Sequence, residues 1–229
     1  MTRPTASLLF GTGLCKTYGS TRALEDVSFH IRAGEIVAVM GPSGSGKSTL
    51  LQCAAGILAP DSGRIVYDGR DVVAMSDAER SALRRRDFGF VFQFGQLVPE
   101  LTCLENVALP LRLEGVARRP AEARAAQWME RLEVSDVAGK RPGEASGGQG
   151  QRVAIARGLV HHPRVVFADE PTGALDSLNG ERVLQLLVRA AVDEGVAVVL
   201  VTHETRVAAY AHREIVVRDG RVRDTEQVS

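Results

Sequence analysis

The chain has 229 residues, 45% hydrophobic and 24% charged, which suits one large α/β domain or a domain with a modest sub-domain. Its 28 Lys and Arg balance 28 Asp and Glu, so no charge excess points to nucleic acid or an acidic lipid surface as partner. The longest apolar runs, residues 36–40 and 196–201, fall far short of the ~20 residues a membrane-spanning helix needs. The start, Met1-Thr-Arg-Pro-Thr5, carries no secretory apolar core. Cys15, Cys53 and Cys103 are odd in number and form no C-x-x-C pair, the pattern of inert thiols in a reducing compartment. The expectation is a cytosolic chain unless another protein holds it at a membrane.

In chain order, Val27, Phe29 and Ile31 alternate with Ser28 and His30, as in a half-buried strand. Gly34 breaks that run, and residues 35–40 suit a fully buried strand. Residues 47–58 read as a helix, followed by a turn at Pro60-Asp-Ser-Gly63 and a strand around 65–67. Ser76-Asp-Ala-Glu79 is a capping box opening a short charged helix, and 88–92 is a further strand. From about 96 to 162 the pattern is helical, with Pro120 in a first turn and Trp128, Met129 and Leu132 on one face. Strand patterning returns at 165–168, 196–202 and 215–218, and a helix near 181–194 ends at Gly195. The alternation predicts an α/β fold on a mainly parallel sheet, with an antiparallel layer from strands near 8–31 and 64–68. It is read as one domain over 1–229, with a core at about 1–94 and 163–229 and a helical sub-domain at about 95–162.

Gly41-Pro42-Ser43-Gly44-Ser45-Gly46-Lys47-Ser48 satisfies G-x-x-x-x-G-K-[ST] between a buried strand and a helix, the context that motif requires. Glycines allow the backbone to turn successive N–H groups inward around phosphates, and the helix adds the positive end of its dipole. Lys47 would reach the β- and γ-phosphates and Ser48 would coordinate Mg²⁺, with Thr49 completing the ATP-binding set. The bland alternative is a glycine-rich turn with an exposed lysine.

Residues 165–168 form an apolar strand that ends in Asp169-Glu170, at an edge where α/β sheets place ligands. Neighbouring strand residues point to opposite sides, so the acids take separate tasks. Asp169 would hold the Mg²⁺ shell and Glu170 would polarise the attacking water as general base. Ser146-Gly147-Gly148-Gln149 opens another helix and presents a second phosphate-binding N-terminus, of most use to ATP held by another copy.

With these motifs the chain resembles the ABC (ATP-binding cassette) ATPases over essentially its whole length. The resemblance implies a P-loop NTPase (RecA-like) core with an antiparallel β layer and an inserted helical sub-domain. It also implies that Tyr18, in Lys16-Thr-Tyr18-Gly, stacks on adenine, and that Gln93 touches Mg²⁺ and water. Asp176, in Ala174-Leu175-Asp176, couples the two sites of a dimer, and His203 contacts the γ-phosphate. Taken singly, Tyr18 reads equally as a packing aromatic, Gln93 as a surface amide and His203 as a strand-end histidine. The sequence departs from the family pattern at Ala145, where leucine is usual, and at Gly150, where a polar residue is common.

Arg84-Arg-Arg-Asp-Phe-Gly-Phe-Val-Phe-Gln93, Leu101-Thr-Cys-Leu-Glu-Asn-Val-Ala-Leu-Pro110 and Asp169-Glu-Pro-Thr-Gly-Ala-Leu-Asp176 resemble the macrolide-export, lipoprotein-release and cell-division sub-group. That implies a second copy of the ATPase and an integral membrane permease with a large extracytoplasmic domain as partners, at the cytoplasmic face of the membrane. Phe94, Leu97, Val98 and Leu101 would line the groove for a permease helix, or pack inside the helical region. The alternative function is a soluble ABC-type mechanoenzyme acting on nucleic acid or ribosomes. The stretch between Gly41 and Ser146 leaves no room for the coiled-coil arm such proteins usually carry, and no nucleic-acid partner is expected.

Overall fold

Period-two burial builds the first layer. In a computed structural model, which describes residues 7–93 and 95–225, β1 (Ser7–Tyr18) pairs antiparallel with β2 (Thr21–Arg32). Val27, Phe29 and Ile31 are buried while Ser28 and Arg32 face water, as the alternation requires. The register shifts between Leu14 and Lys16, opposite Asp26, whose φ of 51° marks the bulge. β4 (Ser62–Tyr67) and β5 (Arg70–Asp71) complete this sheet in the order β2-β1-β4-β5.

The chain divides into two units, Met1–Arg84 with Ala197–Ser229, and Arg85–Val196. In the first, β3 (Ile36–Met40) lies between β8 (Ala197–Val201) and β9 (Arg213–Arg218), parallel to both, and β10 (Arg221–Thr225) runs antiparallel to β9. Ile36, Val37, Ala38 and Val39 are all buried, which explains the continuous apolar run: a strand covered on both faces has no polar side. Each such large apolar side chain contributes about 1.5–3 kcal/mol by burial. Glu35, just ahead of β3, is buried because Arg213 Nε donates to its Oε1 at 2.8 Å and Arg32 N–H to its Oε2 at 2.8 Å. α1 (Lys47–Ala54) follows β3 and stops before residue 58, where the sequence pattern carried it. Gly56, at φ 62°, turns the backbone out of the helix and its N–H bonds Cys53 O at 2.9 Å. α2 (Asp77–Asp87) opens on the expected box, with Ser76 N–H donating to Glu79 Oε2 at 2.8 Å and Glu79 N–H to Ser76 Oγ at 3.3 Å.

In the second unit, β6 (Phe88–Phe92) and β7 (Val165–Asp169) run parallel, with Phe92 opposite Asp169. Around them stand α3 (Cys103–Leu113), α4 (Arg118–Arg131), α5 (Gly147–Leu159) and α6 (Ser177–Glu194). Pro120 sits in the first turn of α4, and Trp128, Met129 and Leu132 are buried together. Gly195, at φ 66°, ends α6, which starts at Ser177 rather than 181 because Asp176 caps it. A Cβ on Gly89 would lie 2.1 Å from Gly158 O, so α5 presses directly on β6. No helix among the described residues is long and apolar enough to cross a membrane. Cys53 and Cys103 are buried and all the cysteines are free; burial pushes the Cys53 thiol up to about 11.

Candidate functional site

The loop after β3 is shaped by backbone that only glycine accepts. Gly41, Gly44 and Gly46 have φ of 148°, 76° and 106°. A Cβ on Gly41 would lie 2.1 Å from Val217 O, and one on Gly46 would lie 2.2 Å from Ala23 O. Gly46 is also the N-cap of α1 and offers no side-chain acceptor, and the first turn holds no acid. The leading N–H groups and the positive end of the dipole are therefore uncompensated by the helix's own side chains. Lys47 is 6% exposed, and its Nζ spans the loop, donating to Gly41 O at 2.9 Å and Pro42 O at 2.8 Å.

Ser45 Oγ is buried with no partner, while Pro42, Ser43, Gly44 and Ser48 are exposed and Thr49 is half-buried. A loop turned by three positive-φ glycines, a buried ammonium and an orphaned hydroxyl fit a polyphosphate. In the same unit Tyr18 ends β1, half-exposed, with Lys16 Nζ 5.9 Å from its ring centre. His203 lies exposed after β8, next to Thr202, whose Oγ1 accepts from Glu204 N–H at 3.1 Å.

In the second unit β7 delivers Asp169 and Glu170, both half-buried. Glu170 has φ 45°, a left-handed conformation that costs a non-glycine residue on the order of 1–3 kcal/mol and clusters at functional sites. The pairing of Phe92 with Asp169 sets the following residues, Gln93 and Glu170, side by side. Both face Gly173: a Cβ there would be 2.8 Å from Gln93 Nε2 and 3.3 Å from Glu170 Oε2.

Ser146 is the N-cap of α5. Its Oγ accepts from Gln149 N–H at 3.3 Å, while Ser146 N–H donates to Gln149 Oε1 at 2.9 Å. Gln149 Nε2 in turn donates to Asp136 Oδ2 at 2.9 Å. Gly147 and Gly148 leave room beside Leu175 and Asn179, whose nearest atoms would each be 3.4 Å from an added Cβ. Asp176 accepts from Leu178 and Asn179 N–H and from Asn179 Nδ2, and these bonds hold its carboxyl below the usual range. Gln93, Ser146, Gly147 and Leu175 line a cavity of about 280 Å³ together with Ala145 and Gly150, the two positions that depart from the family pattern.

Three polar side chains of this unit lie within motif segments but have no individual role legible in the sequence. Asn106 is fully buried and holds both the N–H and the carbonyl of Val98, fixing the segment that carries Leu97, Val98 and Leu101, all half-buried. Gln151 and Arg157 bond the backbone around Gln93. Polar residues inside a helical pattern ordinarily face water, so only the unusual run of apolar neighbours hinted at burial. Phe94, also expected in the groove, lies outside the described residues.

Comparison with known proteins gives one consistent answer. The profile of the family described as ABC transporter matches residues 24–173. The macrolide export ATP-binding/permease protein MacB 1/2 of Paracoccus denitrificans is 50% identical over 204 residues, 89% of this chain but 30% of that relative. The lipoprotein-releasing system ATP-binding protein LolD of Bacteroides thetaiotaomicron is 42% identical over 92% of this chain and 97% of its own length. An ATP-binding cassette solved as a dimer in a post-hydrolysis state with ADP and phosphate superposes with TM-score 0.89 at 39% identity, covering 96% of this chain and 99% of that one. A P-loop NTPase fold with both a parallel and an antiparallel sheet, this profile and these relatives agree: the chain belongs to the ABC transporter family, as one of its ATP-binding, ATP-hydrolysing cassettes.

Proposed function

We propose that the chain is the energy-coupling ATPase of a transporter whose permease is a separate chain, and that two copies close on ATP. The observation that carries this is the presence of two helix starts suited to phosphate, Gly46 before α1 and Ser146, followed by Gly147 and Gly148, at α5. A single nucleotide in one copy is served by the first, together with Lys47. The second serves ATP presented by another copy.

On this reading the phosphates lie on the amides of residues 41–49. Lys47 Nζ exchanges the carbonyls of Gly41 and Pro42 for β- and γ-oxygens, and Tyr18 stacks on adenine. Ser48, Gln93 and Asp169 would hold Mg²⁺, which when bound neutralises charge on the phosphoryl oxygens. Glu170 takes a proton from water as the water oxygen attacks the γ-phosphorus. The bond to the β–γ bridging oxygen breaks, ADP leaves with that electron pair, and the proton passes on to phosphate. Gln93, beside Glu170 at Gly173, orients the water, and His203 bonds a γ-oxygen. Ser146, Gly147, Gly148 and Gln149 close on the second copy's γ-phosphate, with Asp176 fixing the start of α6 between the sites.

The relatives' names, a macrolide export ATP-binding/permease protein and a lipoprotein-releasing system ATP-binding protein, support a role in export. On this reading the permease has a large extracytoplasmic domain and receives motion from the chain. The chain would then sit peripherally at the cytoplasmic face of the membrane, with Leu97, Val98 and Leu101 lining the permease groove. The decisive test is Glu170→Gln. It should bind Mg·ATP normally, hydrolyse it about 10²–10⁴-fold more slowly and accumulate as an ATP-bound dimer in size-exclusion chromatography. Normal turnover by a monomer would sink the sandwich reading.

A further inference from the structure

Backbone carbonyls on both sides of Gln93 are held by two side chains of one helix. Gln151 Nε2 donates to Phe92 O at 2.9 Å. Arg157 Nη2 donates to Gly95 O at 2.6 Å and its Nη1 to Gln96 O at 2.7 Å. Both side chains stand on α5, the helix that starts at Ser146.

Gln151 is 3% exposed, and among the described residues no carboxylate pairs with the Arg157 guanidinium. Burial alone holds the Arg157 pKa below the ordinary guanidinium value, so carbonyl dipoles are what balance its charge. For stability alone this is a poor arrangement. A partly buried cation needs compensation that an apolar side chain of similar volume does not. Gln151 meanwhile leaves its Oε1 3.7 Å from where a Cβ on Gly95 would sit, so the turn after Gln93 rests on this side chain as well. The close approach of Gly89 and Gly158 adds backbone contact between β6 and α5, so the strand leading into Gln93 is packed directly on the helix bearing the clasp.

We propose that Gln151 and Arg157 are positioning residues for ATP hydrolysis: they fasten the backbone on either side of Gln93 to α5, so that the seating of the Ser146 end of α5 sets where the Gln93 amide stands against Glu170. The inference rests on the reading of Gln93 and Glu170 as the pair that orients and deprotonates water. A helix is stiff over the distance involved, about 16 Å from Ser146 to Arg157 at 1.5 Å per residue. A phosphate captured at the capped end is thereby felt at the far end. Hydrolysis becomes sensitive to whether the second copy has closed.

The test compares ATP turnover of Arg157→Met, which keeps the apolar stem but no donor, with Arg157→Lys, Gln151→Met and Gln93→Ala, alone and combined. Arg157→Met should lower kcat on the order of tenfold while KM for ATP shifts less than about twofold, as for a displaced orienting group. Arg157→Lys should recover part of the loss, and Gln151→Met should lower kcat about threefold. Combined with Gln93→Ala, neither Met variant should slow turnover further, because both act through the same amide. Multiplying losses in the double variants, or a raised KM at unchanged kcat, would overturn the positioning role. Should Arg157→Met fail to fold, the Gln151→Met comparison decides alone, and unchanged kcat there overturns it. If Gln93→Ala itself turns over normally, it is the reading of Gln93 that fails; if Gln93→Ala is slow and both Met variants are normal, the clasp fails.

Discussion

At the start of α1 the N-cap is Gly46, left-handed and without an acceptor, beside the buried ammonium of Lys47; at the start of α5 it is Ser146, locked to Gln149 by reciprocal hydrogen bonds. Both segments read from sequence as phosphate-binding helix starts, yet they are finished differently. The first leaves its donors to a ligand and adds a positive charge. The second satisfies one of its own amides and, through Gln149, keeps the Asp136 carboxylate close by. On the proposed reading a free polyphosphate would find a strong site at α1 and a preformed but weakly attractive one at α5. That asymmetry suits a cassette that loads nucleotide alone and closes only when a partner brings a second phosphate chain into place.

The comparison can be broken most sharply at α1. Lys47→Ala should lower kcat/KM for ATP about 10²–10³-fold, the loss typical of one group facing developing phosphoryl charge, with the thermal unfolding midpoint nearly unchanged. Near wild-type turnover would move the phosphates away from this loop. At α5 the same treatment should look different. Ser146→Ala removes a cap worth about 1 kcal/mol, so the unfolding midpoint should fall. ATP affinity of the isolated chain should hold, while the ATP-dependent dimer, followed by light scattering in a slow-hydrolysing background, weakens about tenfold. Weakened binding by the monomer would erase the distinction. The smallest effect is expected at Asp136→Asn, which keeps the hydrogen-bonding oxygen and removes the charge. Dimer affinity should rise by about 0.3–1 kcal/mol at low salt, and the gain should vanish at high salt. No change at any salt would mean that Asp136 does not bias the α5 start.

How much could be read from the sequence depended on range. Signals written within a few residues were legible: the glycine loop before Lys47, the Ser76–Glu79 box, Pro120 in the first turn of α4, and Gly195 at the end of α6. Elements held by distant partners were not. β10 has Val222 as its only apolar side chain and exists as a strand because β9 supplies the ladder. Glu35 is buried by a partner at Arg213, far along the chain. Gln151 and Arg157 look like the wet face of a helix until the carbonyls of Phe92, Gly95 and Gln96 are laid against them. The same limit applied within the site. Gln93 and Glu170 each stand out in the sequence, but that they share the flank of Gly173 follows from the register of β6 on β7, which no local pattern encodes.

The glycines of the phosphate loop would separate under a saturation library. At positions 41 and 46 any side chain meets a strand carbonyl, Val217 O at 2.1 Å or Ala23 O at 2.2 Å, and no rotamer relieves a clash with backbone. A screen for folded protein alone should therefore deplete every substitution at these two. Position 44 is different: nothing lies within 4 Å of an added Cβ, and its φ of 76° is one that asparagine tolerates. Under a folding screen Gly44→Asn should survive, and it should be lost only when survival demands nucleotide turnover. Invariance at 41 and 46 would then record the needs of neighbouring strands, and invariance at 44 those of the phosphate.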